Sequence, residues 1–130
     1  MHQPPVTRIP VVALVDWNCQ LREVRDEMGQ EPGPLEVLEH VAQQLSRALA
    51  RADQRLRFEI RLRLYCGWHR EKKPTSRRNA LGALSEEDLY ALSYSPRMVF
   101  RDLDFGERAV RALRKRRVLP PDADYLNTKC

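Results

Sequence analysis

Asp16 is the residue whose type and setting most suggest chemistry. It ends the apolar run Pro10-Val11-Val12-Ala13-Leu14-Val15, and Asn18 stands two residues on. A carboxylate leaving an apolar segment has to be solvated, paired or bound to a cation. Its oxygens are the hard donors that Mg²⁺ and Mn²⁺ take. Asp also closes a following loop onto its own backbone, and that reading stands beside the first. Asp102 and Asp104 are further carboxylates for a cation site, although Asp104 also reads as a helix N-cap with Glu107 three residues on. Downstream of a second strand, Trp68, Arg70, Lys72, Lys73, Arg77 and Arg78 form a basic stretch. Such cations hold phosphates without reading base sequence. Trp17 and Trp68 are candidates for stacking on bases, with core packing as the alternative.

The placement of charge agrees with that emphasis. The chain of 130 residues carries a formal net charge of +5. Residues 69–117 hold 13 Lys/Arg against 7 Asp/Glu, and the rest holds 10 against 11. The whole positive excess lies in one central stretch, an electrostatic footprint for a polyanion. A solvated surface rich in arginine is the competing reading, since 19 of the 23 cations are Arg. Other chemistries lack their signatures. His2, His40 and His69 have no partner at zinc spacing. The five glycines are dispersed, which excludes a P-loop. Nothing spaces a Ser/His/Asp or Cys/His group. Three scattered cysteines, Cys19, Cys66 and Cys130, suggest a reducing compartment and a cytoplasmic setting, with Cys19 a small buried apolar residue. No apolar run approaches the ~18 residues of a membrane span.

The elements that would position these residues follow from periodicity. Residues 10–15 read as a strand buried on both faces, at the centre of an α/β sheet. A polar segment leads to Gly33-Pro34, which opens a helix with Leu35, Leu38, Val41, Ala42, Leu45 and Leu49 on one face. Arg57 to Tyr65 alternates as a strand with one wet face, placed near a sheet edge or under a thin helix layer because of its three arginines. Strand, helix, strand implies a right-handed βαβ unit with parallel strands. Residues 67–76 read as a basic loop. Thr75 or Ser76 then caps a short helix, and Ser85–Asp88 caps a second. Met98–Arg101 reads as a third strand and 104–117 as a helix, with no clear element in the tail. The expected whole is a single α/β domain over 1–130, a three-layer sandwich with a mostly parallel sheet, incomplete at its C-terminus.

Val11-Val12-Ala13-Leu14-Val15-Asp16-Trp17-Asn18 resembles the opening of the PIN-like nucleases, particularly the NYN branch. The long helix, the strand Phe58–Tyr65 running into Cys66-Gly67-Trp68, the helix 104–117 and Tyr125–Lys129 follow the same order in outline. The resemblance implies a ribonuclease that gathers three or four carboxylates around Mg²⁺ or Mn²⁺. Asp16 would be one ligand, Asn18 would order the loop or the attacking water, and Asp102 and Asp104 would be substitute ligands. The later acidic motifs of the family have no counterpart here. Three explanations stay open: a fragment, a short form completed by a partner chain or second copy, or a divergent member. The functional expectation is an RNA-binding, ribonuclease-like domain. Its alternative is a non-catalytic RNA-binding or protein-interaction module.

Overall fold

A computed structural model describes residues 7–92 and 97–106, together with the backbone of 124–127. Its frame is a four-stranded sheet in the order β5-β2-β1-β6, with every pair parallel. The strands are β1 (Thr7–Asp16), β2 (Leu56–Tyr65), β5 (Met98–Gly106) and β6 (Asp124–Asn127). Between them lie α1 (Trp17–Met28), α2 (Pro34–Leu49), a small hairpin of β3 (His69–Arg70) and β4 (Lys73–Pro74), α3 (Ser76–Gly82) and α4 (Glu86–Tyr90).

The apolar run behaves as its composition requires. β1 lies between β2 and β6, and Val11, Ala13, Leu14 and Val15 are all buried. Phe58, Ile60, Leu62 and Leu64 of β2 pack with Trp17, Leu21 and Val24 of α1 and with Val37, Leu38, Val41, Ala42 and Leu45 of α2. The expected apolar face of α2 is therefore the one that closes the core. Pro34 is its first residue, and Glu36 Oε1 accepts from the Gly33 N–H at 3.4 Å. α3 begins at the Thr75 cap and α4 at a reciprocal Ser85/Asp88 box, as the residue types imply.

Three expectations change. The polar segment after Asp16 is not a loop but the twelve-residue helix α1, which ends on Gly29 at φ 71°. β2 is an inner strand, second from the end of the sheet beside β5, in keeping with a place near an edge. Its wet face is tolerated because the charges are compensated across strands: Glu59 meets Arg8 and Arg101, and Arg61 meets Asp102 and Asp104. The third strand runs on to Gly106, so Asp104 is a strand residue opposite Arg63, not the cap of a helix beginning there. The remainder of the helix expected over 104–117, and with it the third layer, lies outside the described residues. The tail supplies a fourth strand, β6, beside β1.

Candidate nucleic-acid interface

The strand order carries a topological consequence. From β1 the chain steps to β2 and then β5 on one side, and later returns to the other side of β1 as β6. Ligands of open α/β sheets gather at the carboxyl ends of the strands, beside such a reversal of order. Asp16 is the last residue of β1, and Asn127 of β6 aligns with Leu14 two positions earlier. The expected position of Asp16 and the reversal therefore coincide.

At that edge Asp16 has a local task. Its Oδ1 accepts from the Cys19 N–H at 3.2 Å, making it the N-cap of α1. The two readings of Asp16 meet here, because a capping carboxylate at a helix start still offers its second oxygen. Asn18, exposed on the first turn of α1, is the junction of the edge. Its Oδ1 accepts from Arg77 Nη1 at 3.0 Å and from the buried Cys66 thiol at 3.4 Å. One amide oxygen thus ties α1 to the end of β2 and to α3. Cys19 departs from expectation, since it is disulfide-bonded rather than a reduced apolar residue.

The basic loop is a built hairpin. His69 pairs with Pro74 and Arg70 with Lys73, leaving Glu71 and Lys72 as a two-residue turn. Both have positive φ, 53° and 67°, the type I′ geometry that usually calls on Asn and Gly. The Thr75 N–H donates to the Trp68 carbonyl at 2.8 Å and closes its base. Arg70, Lys72 and Lys73 are exposed on it, and Arg77 follows as the second residue of α3.

Three expected contact residues are placed elsewhere. Trp68 is fully buried, donates Nε1–H to the Leu64 carbonyl at 3.0 Å and meets Phe105 edge-on at 5.1 Å. It is a core residue with no face to offer a base, and Trp17 is likewise buried. Arg78 lies with its guanidinium 3.7 Å from the centre of the Phe105 ring, a cation–π contact that holds it against the core.

The carboxylates do not converge. Asp102 Oδ2 lies 3.5 Å from Arg61 Nη2, and Asp104 Oδ2 lies 3.8 Å from Arg61 Nε. Asp16 aligns with Tyr65 and, through it, with Gly106, two residues beyond Asp104 and two strands away. Strand spacing puts those backbones roughly 12 Å apart, and Asp102 and Asp104 turn to Arg61. Among the described residues no group of three His, Cys, Asp or Glu gathers. The described carboxylates do not fit the shared Mg²⁺ or Mn²⁺ that the resemblance implies.

Tyr65 was not singled out by its sequence, yet it aligns with Asp16 at this edge. Burial pushes its phenol above the ordinary value, with Arg63 opposing. Its hydroxyl has no hydrogen-bond partner among the described residues. The available signal was its position as the last residue of β2. Among the described residues no helix is long and apolar enough to cross a membrane. Comparison with family models, curated proteins and solved structures finds no match to this chain.

Proposed function

We propose that this domain binds single-stranded RNA along the carboxyl edge of its sheet. The observation that carries the reading is the Asn18–Arg77 bond of 3.0 Å. It anchors the start of α3, and with it the cationic hairpin that leads into α3, beside the strand end where Asp16 emerges. Arg70, Lys72 and Lys73 then present charge on a two-stranded support, and Arg77 extends the same charge to the strand ends. Cations so arranged grip a phosphate backbone without reading bases. The resemblance of residues 11–18 to the NYN and PIN-like nucleases supports the same ligand.

Binding is favoured over cleavage, because the described acids stand apart and Asp102 and Asp104 are engaged by Arg61. The discriminating experiment incubates labelled single-stranded RNA with the chain and Mn²⁺, beside Asp16→Asn. Retained RNA without metal-dependent cleavage, insensitive to that substitution, is the expected result. Cleavage abolished by Asp16→Asn would establish the ribonuclease instead. Absence of retention at low salt would refute the RNA-binding reading.

A further inference from the structure

The described residues enclose a cleft of about 230 Å³ between α1, the start of α2 and α3. Its floor is apolar, made by Trp17, Leu21, Val37 and Leu81, each nearly or fully buried. Pro32 and Pro34 form one wall and Ala80 another. Their rings and methyl groups present flat surfaces that offer no hydrogen bonds from side chains. The rim is polar, with Glu31, Ser76 and Arg77. Sites for drug-sized ligands run to roughly 300–1,000 Å³, so this one suits a single ring system.

The charges at the rim decide what that ring must carry. Arg25 already engages both oxygens of Glu31, at 2.7 and 3.0 Å, so that carboxylate is compensated. Arg77 has no acidic partner among the described residues, and its one hydrogen bond goes to the neutral amide oxygen of Asn18. A guanidinium offers five donors in a planar fork. Among the described residues the rim therefore presents one oriented cation without an acidic partner over an apolar slot. Its complement is a planar ring bearing an anion.

We infer that the cleft takes one nucleobase of a bound strand, with the adjoining phosphate on Arg77. The inference rests on the RNA-binding reading and deepens it. The hairpin grips the backbone nonspecifically, and the cleft fixes where one base sits. Buried Trp17 contributes the floor rather than an exposed stacking face.

The test uses ¹⁵N-labelled chain titrated with adenosine and uridine 5′-monophosphates, with inorganic phosphate and the two nucleosides as separate arms. Saturable shifts of the Trp17 indole N–H and the Leu21 and Ala80 amides are expected with a monophosphate. Arg77→Gln should weaken them about tenfold. Ala80→Trp, which fills the slot from an exposed helix position, should abolish them while thermal unfolding stays cooperative. If that variant does not fold, Ala80→Leu repeats the test with a smaller plug. No shift at millimolar mononucleotide, or equal shifts with phosphate alone, overturns the inference. Arg70→Gln/Lys72→Gln/Lys73→Gln separates the two readings. It should weaken binding of the RNA strand, with a flatter salt dependence, yet keep the mononucleotide. RNA binding that survives Ala80→Trp unchanged sinks the cleft and leaves the functional reading standing.

Discussion

Single side chains in this protein often do something other than their type suggests. Trp68 is the plainest case: an aromatic beside a cluster of cations invites a stacking role, yet it is buried and hydrogen-bonded to Leu64. Trp68→Phe keeps most of the ring volume but leaves that carbonyl without its donor. The expected cost is about 1–3 kcal/mol in urea unfolding, with RNA affinity per folded molecule unchanged. Asp53 supplies a titration check. The side-chain hydrogen bonds from Arg55, then the Arg55 backbone N–H, hold its carboxyl at about 2, against an ordinary 3.8. A depressed carboxylate favours the folded state above its unfolded value, and that contribution disappears as pH falls through the folded one. Carbon NMR of the Asp53 carboxyl should show a midpoint near 2, returning towards 3.8 in Arg55→Ala. Both residues are exposed, so the effect on global stability is small.

At the scale of elements, the hairpin of residues 69–74 stores the clearest local strain. Glu71 and Lys72 both carry a Cβ at positive φ, a region costly for L-residues. Glu71→Asn/Lys72→Gly supplies the residues that a type I′ turn prefers. Thermal and urea unfolding should show the variant more stable by about 1 kcal/mol. Periodicity made β1, α2 and β2 readable, because each buries a continuous face of regularly spaced apolar residues. α1 was not readable, since its buried side is only Trp17, Gln20, Leu21 and Val24 among charges. Its cap was visible as Asp16, but no strong apolar stripe followed to announce a helix. β5 misled for the opposite reason. Asp104-Phe105-Gly106-Glu107 has the composition of a capping box, but pairing with β2 kept the chain extended through Gly106. Gly106 also suits that place because a Cβ there would collide with the Tyr65 ring.

Across the whole molecule, charge placement and strand order act together. The excess of cations in 69–117 was visible without coordinates, whereas its delivery to one edge depends on the fold. The hairpin follows the carboxyl end of β2, and the parallel register sets that end level with Asp16. If Arg70, Lys72 and Lys73 each meet a phosphate, changing all three to Gln should flatten the salt dependence of RNA binding. The slope of log K against log salt should fall in magnitude by about 2, measured by fluorescence anisotropy. What the sequence hid was distance: Asp102 and Asp104 look like neighbours of Asp16 only until the register separates them. The tail shows the same limit, because Asp124–Asn127 is too short to declare itself a strand without β1 to pair with.

The register of β5 has one irregularity: Phe100 faces Ile60 and Asp102 faces Arg61, leaving Arg101 as an extra residue. A strand at the end of a sheet is a template on which other chains can extend it. The added residue bends the ladder, and Arg101, Asp102 and Asp104 place charge along it. Straight stacking of one copy on the next would have to cross both obstacles. Bulges and charges of this kind are the means by which natural sheets discourage edge-to-edge growth.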